Sequence, residues 1–189
     1  RVWDGSLPGS WLLEHSRYER LVPPLPMAPC TSETGSEPYV ALGFRFSSSF
    51  GDTGPNRDLM NRVMVELSGR MTVKLVGSAG FIPAPELVST VDDSQVVPPP
   101  DHAEGQLREQ AAIVAGAQAY IGTFGSISLL APFFNVPTLM VFEEEGKLFS
   151  HHVNVLRSIA ETVTDARVDI EKASGITPTR LSAWLDQVL

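Results

Sequence analysis

Across residues 39–188, short apolar runs alternate with longer segments whose apolar residues recur every three or four positions. Few folds accept that alternation. A short continuous apolar run suits a strand buried on both faces, and a helical segment between successive strands is what a parallel crossover needs. The expected architecture is therefore α/β: a Rossmann-like parallel sheet with helices on both faces.

The expected elements follow in order. Residues 39–46 (YVALGFRF) form the first strand, bounded by Pro38 and a serine run. Pro55 and Asn56 open a helix with Leu59, Val63 and Leu67 on one face, and Gly69 ends it. Residues 72–76 are the second strand, closed by Gly77. The middle is less regular: 81–91 carries Pro83, Pro85 and a turn or two of helix, and 95–97 is a short strand before three prolines. Residues 104–117 are a helix with Leu107, Ala111, Val114 and Gln118 in line. A very short strand, 120–122, leads to a helix capped by Ser126 and running to Phe134, which Asn135 ends in the left-handed conformation. A strand over 137–142 is followed by a helix over 149–163, buried along Phe149, Val153, Leu156, Ala160 and Val163. After a last short strand at 167–170, Thr177 and Pro178 begin a final helix with Leu181, Trp184, Leu185 and Val188 inward.

Residues 1–37 read differently. They carry Pro8, Pro23, Pro24, Pro26 and Pro29 and then a polar run, the composition of a linker or the remnant of a missing N-terminal domain, with a short helix over 11–21. The chain opens on Arg1 rather than Met, as a fragment or a processed product would. The domain proper is then 38–189. Its 43% hydrophobic and 19% charged residues are those of a globular chain, which excludes wholesale disorder. A formal charge of −8 with no Lys/Arg run supplies no basic face, so nucleic acid is not an expected partner. No apolar stretch approaches the roughly 20 residues of a bilayer span, so no transmembrane segment is expected. The single cysteine, Cys30, permits no intrachain disulfide and fits a cytoplasmic setting.

In an open parallel sheet, ligands bind beyond the carboxyl ends of the strands. Three strand ends carry chemistry. At Gly122-Thr123-Phe124-Gly125-Ser126 a strand stops, two glycines permit a tight turn, and a helix start offers unpaired amides to a phosphate. The alternative is an ordinary tight turn, which uses the same residue types. Arg45, followed by Ser47, Ser48 and Ser49, ends an otherwise apolar strand; its guanidinium either meets an anion or pairs with Asp52. Glu143, Glu144 and Glu145 read as a solvated acidic loop. His151 and His152 point to different faces of one helix, so no metal site is expected, and His102, in a proline-rich loop, reads as a surface residue rather than a catalytic base. Gly77-Ser78-Ala79-Gly80 lacks the rest of a dinucleotide fingerprint, and no Gly-x-Ser-x-Gly elbow surrounds Ser126 or Ser128.

The block 109–142 (EQAAIVAGAQAYIGTFGSISLLAPFFNVPTLMVF) resembles the donor half of GT-B glycosyltransferases. Helix, short strand, Gly-Thr-aromatic-Gly turn, helix and Val-Pro-led strand come in that order. The stretch 41–60 (ALGFRFSSSFGDTGPNRDLM) is similar to the first strand, loop and helix of the same half. The likeness is greatest to bacterial enzymes of surface-polysaccharide synthesis. It covers about residues 39–165 and is an ordered pattern rather than one diagnostic motif.

The resemblance implies a C-terminal, donor-binding half that holds a nucleoside-diphosphate sugar, with no cofactor and an N-terminal acceptor half as its partner. Arg45 and Ser47–Ser49 would meet the diphosphate from one side, Gly122, Thr123, Phe124, Gly125 and Ser126 from the other, and Gln110 would lie near the nucleotide. It implies a transferase working in the cytoplasm or at the inner face of a membrane, inactive as an isolated half. The catalytic base would come from the missing half, so no residue here receives that role. A non-catalytic nucleotide-sugar module and a sugar-nucleotide epimerase of the same build are the alternatives. Relatives often carry a second Gly or an acidic residue near Ser126 and an aromatic residue near Leu129. This chain has neither, so a different base and sugar are expected.

Overall fold

The computed structural model describes residues 37–77, 96–97, 106–148 and 150–189. The expected helix at 11–21 and the irregular stretch at 81–91 lie outside these residues. Among the described residues six parallel strands form one sheet: β1 (Tyr39–Gly43), β2 (Thr72–Leu75), β3 (Val96–Val97), β4 (Ala119–Thr123), β5 (Thr138–Phe142) and β6 (Val168–Lys172). Their spatial order is β3-β2-β1-β4-β5-β6. The helices are α1 (Gly54–Ser68), α2 (Gln106–Ala115), α3 (Ser126–Leu130), α4 (Ser150–Thr162) and α5 (Pro178–Val188). None of the described helices is long and apolar enough to cross a membrane.

The two-residue period of the strands sends alternate side chains into two cores. Val40 and Leu42 of β1, Ala119 and Ile121 of β4, and Leu139 and Val141 of β5 pack under α1 and α5, against Leu59, Val63, Leu67, Leu181 and Trp184. Their neighbours point the other way. Ala41 and Tyr120 meet Val114 of α2 and Val136, while Met140 meets Phe124 and Leu156 of α4. Each fully buried aliphatic or aromatic side chain contributes about 1.5–3 kcal/mol, so the two-sided core is what holds the sheet.

Helix limits follow local chemistry. The Thr53 side chain accepts from Asn56 N at 3.4 Å to cap α1, with Pro55 in its first turn, and Thr177 caps α5 by accepting from Arg180 N at 3.2 Å. The helix expected to run to Phe134 is α-helical only to Leu130. It then tightens into a 3-10 turn, Ala131–Phe134, where Pro132 has no N–H to continue the ladder. Asn135 ends it in the left-handed region, φ 61°, as its residue type suggests.

The Asn135 side chain also ties that corner to the segment before β6: its Oδ1 accepts from Thr164 Oγ1 (2.9 Å), Asp165 N (2.9 Å) and Ala166 N (3.1 Å). Asn135→Ala is expected to lower unfolding free energy by about 1–2 kcal/mol, through both the strained φ and the lost bonds. Asn135→Gly restores the backbone freedom alone, and urea denaturation of the two variants separates the contributions.

One expected register changes. Leu107 is 68% exposed, whereas Gln110 is 6% exposed and Val114 fully buried, so α2 turns Gln110 inward where the apolar pattern had placed Leu107.

Candidate functional site

The chain steps outward from β1 to β2 and β3, then returns to lay β4 against the other side of β1 and continues to β5 and β6. The connections leaving β1 and β4 therefore diverge, and a crevice opens above their carboxyl ends. Here it is a cleft of about 450 Å³. Arg45, Phe46 and Ser47 form the wall that leaves β1; Thr123, Phe124 and Gly125 form the wall that leaves β4. Val76, Leu107 and Gln110 close a third side, and Gly43 with Tyr120 lie beneath.

The two strand exits are joined. Arg45 N donates to Thr123 Oγ1 at 3.0 Å, which leaves the threonine proton available as a donor. The Arg45 side chain is exposed. The alternative partner considered for it, Asp52, is held on both carboxylate oxygens by Arg57, at 2.6 and 2.8 Å. The Arg57 guanidinium lies over the Phe46 ring, 5.3 Å from its centroid, and Phe46 stacks on the buried Phe50.

The serine run divides by position. Ser47 N donates to Phe50 O at 2.8 Å and Phe50 N returns a bond to Ser47 O, closing a tight turn. Ser47 lines the cleft, but Ser48 is exposed away from it, and Ser49 is buried with its hydroxyl against Ser47 Oγ at 3.2 Å. Of the three serines the structure thus brings Ser47 alone to the cleft wall, because a turn this tight presents one side chain to it.

Glu143 is likewise no solvated loop residue. Its Oε2 accepts from Asn56 Nδ2 at 2.6 Å and from Gly51 N at 3.3 Å, and the Glu143 amide donates to Ser49 O at 2.8 Å. Asn56, 2% exposed, also donates to Gly51 O. This clamp fixes the loop that follows Arg45 and Ser47. Glu144 and Glu145 are exposed.

The glycines of the second turn do different work from that expected. Neither Gly122 nor Gly125 adopts the positive-φ backbone that favours glycine; among the described glycines only Gly77, φ 150°, does. Gly122 is a strand residue paired with Gly43, and a Cβ there would sit 2.3 Å from Gly43 O. It supplies space between β1 and β4 and is not among the residues lining the cleft. The Tyr120 phenol fills that space and donates to Gly43 O at 3.4 Å; burial raises its pKa and keeps it neutral. Gly125 borders the cleft with open room around it, the nearest atom to an added Cβ being Thr123 O at 3.9 Å. Phe124 is 8% exposed and its ring packs in the core with Met140 and Leu156.

Amide availability at this turn is also narrower than the sequence suggests. Phe124 N donates to Val141 O, and Gly125 N donates to Ser128 Oγ at 2.8 Å, while the Ser128 hydroxyl donates back to Gly125 O at 2.7 Å. Ser128, missed in the sequence, is thus the cap, reachable from its place three residues after Gly125. What remains is the first turn of α3 starting at Ser126, whose amides have no intrahelical acceptor and whose Ile127 and Ser128 border the cleft. Gln110 reaches the cleft from α2, with Nε2 donating to Gly77 O at 3.1 Å. No group of three or more His, Cys, Asp or Glu among the described residues is arranged to hold a metal ion.

An open, doubly wound α/β sheet with its cleft at the strand-order reversal defines the Rossmann class. Solved structures narrow it to the fold of a GT-B glycosyltransferase fragment. The chain is similar to E. coli ADP-heptose lps heptosyltransferase II, over 100% of this chain and 52% of that one, with 15% identity and a TM-score of 0.60. It is similar to E. coli heptosyltransferase WaaC with ADP over 79% of this chain and 44% of that one (14% identity, TM-score 0.55). The same enzyme with ADP-2-deoxy-2-fluoro heptose matches over 80% and 44%, at 13% identity and a TM-score of 0.51. The chain spans about half the length of these proteins. No protein-family model matches the sequence, and no curated protein matches it significantly.

Proposed function

We propose that this chain is the C-terminal, donor-binding half of a glycosyltransferase, and that its cleft holds a nucleoside-diphosphate sugar. The observation that carries the reading is the meeting of Arg45 and Thr123 at one crevice, joined through the Arg45 N–Thr123 Oγ1 bond. Solved neighbours that hold ADP and ADP-2-deoxy-2-fluoro heptose support a nucleotide ligand.

As the sugar–phosphate bond breaks, negative charge grows on the departing diphosphate. A guanidinium, the Thr123 hydroxyl and the α3 amides can stabilise that charge in place. Ser47 and Gly125 border the same space, and Gly125 lets a phosphate approach closely because it has no side chain. The acceptor hydroxyl and its base come from a second half, and binding between the halves orients acceptor against donor. No cofactor enters this scheme. The setting is the cytoplasm, or the cytoplasmic face of a membrane.

Calorimetric titration with ADP, UDP and GDP tests the reading. Arg45→Ala is expected to weaken the best-bound nucleotide by about ten- to a hundredfold, the loss of a charge-assisted contact. Gly125→Val should weaken it comparably by occupying the approach to the turn, with the fold intact. Equal affinity in wild type and both variants, or no nucleotide binding at all, sinks the assignment.

A further inference from the structure

Gln110 lies midway along α2, 6% exposed, and still borders the cleft. Its Nε2 donates to Gly77 O. A carbonyl only accepts, so this bond dictates which end of the carboxamide faces β2 and turns Oε1 away from it. Oε1 has no hydrogen-bond partner among the described residues. Among the described residues, a buried side chain that borders the cleft thus keeps one oriented acceptor without a partner. Around it the walls are apolar: Val76 at the end of β2, Leu107 one turn earlier on α2, and Ile127 of α3. The donor groups, Arg45 and the Thr123 hydroxyl, belong to the β1 and β4 exits instead.

Apolar walls with a single fixed acceptor do not suit a phosphate, which only accepts. They suit a flat, partly apolar group carrying an N–H or O–H. Resting on the nucleotide reading above, we infer that Gln110 Oε1 accepts a hydrogen bond from the nucleoside part of the donor, a base N–H or a ribose O–H, and selects ligands that present one there. A ligand that covers Oε1 without donating strips it of water and leaves it unpaired, and that penalty is the source of selection.

Competition binding with matched ligands that differ by one donor reads this directly. The pairs are ADP against purine-riboside diphosphate, GDP against inosine diphosphate, UDP against its N3-methyl form, and the best-bound nucleotide against its 2′-deoxy and 3′-deoxy forms. The wild-type chain is expected to prefer the donor-bearing member of at least one pair by about tenfold or more. The pair that responds identifies base or ribose as the source. Gln110→Met should bind both members of that pair equally. Gln110→Glu keeps an acceptor and should keep the preference even where total affinity falls. Losing the support given to Gly77 moves all affinities together and leaves their ratio alone, so the ratio is the readout, with a thermal melt to check folding.

Equal binding of every pair by the wild-type chain overturns this inference while leaving the nucleotide site standing, and it decides the matter even where the Met variant fails to fold. A preference that persists in Gln110→Met, or vanishes in a folded Gln110→Glu, overturns it too. Failure to bind any nucleotide overturns both readings.

Discussion

Gly122→Ala is expected to cost about 3 kcal/mol or more of folding stability, a fall of roughly 6–12 °C in the thermal midpoint, while Gly125→Ala leaves the midpoint unchanged or slightly raised. The two glycines are three residues apart and look interchangeable in the sequence. At Gly122 an added Cβ meets Gly43 O at 2.3 Å and Gly43 C at 2.8 Å, backbone atoms of the paired strand, and Tyr120 Oη at 2.7 Å. No rotamer change relieves a clash with backbone, and Tyr120, 1% exposed, has nowhere to go. β1 and β4 would have to part at the very end that forms the cleft floor. At Gly125 the backbone is extended, φ 177°, and nothing lies within 3.9 Å of the new methyl group. An alanine there mainly restricts the unfolded chain. Equal melting of Gly122→Ala and wild type would show that the strands do not approach this closely.

That contrast marks what the sequence could and could not convey. Strands and helices were legible because burial imposes a period: Val40 and Leu42 face one core and Ala41 the other, as a strand covered on both sides requires. Asn135 was legible because few residue types tolerate its φ. The strand order was expected only in kind, since pairing β4 beside β1 joins residues nearly eighty positions apart and leaves no local trace. Leu107 misled because apolar periodicity cannot tell a cleft wall from a core, and the inward position belonged to a glutamine.

The candidate site divides in the same way. Arg45 and the Gly122–Ser126 turn stood out because a cation ending an apolar strand, and Gly with Ser before a helix, each need a chemical reason. The reason attached to Gly122 was turn flexibility, and the actual one is interstrand space, which depends on where Gly43 lies in three dimensions. The Ser128 cap carried a local signal. The Asn56–Glu143 contact carried none: its partners are 87 residues apart, and a three-glutamate loop has the composition of solvated surface.

Glu143→Ala therefore provides the second large expected effect, a loss of about 1.5–3 kcal/mol measured as a lower urea midpoint. The carboxylate oxygen is shared by Asn56 Nδ2 and Gly51 N. Without it the 2%-exposed Asn56 amide loses one of its two acceptors and Gly51 N loses the one it has among the described residues. Glu143→Gln keeps an oxygen to accept from Asn56 while giving up the charge, and is expected to lose less than half as much as alanine. Glu144→Ala and Glu145→Ala, both exposed, should stay within about 0.5 kcal/mol of wild type. The clamp holds the loop that follows Arg45 and Ser47, so Glu143→Ala should also weaken nucleotide binding, although Glu143 does not border the cleft. Three alanine variants with indistinguishable midpoints would mean that all three glutamates are solvated and that the β1 loop is held by its aromatic cluster alone.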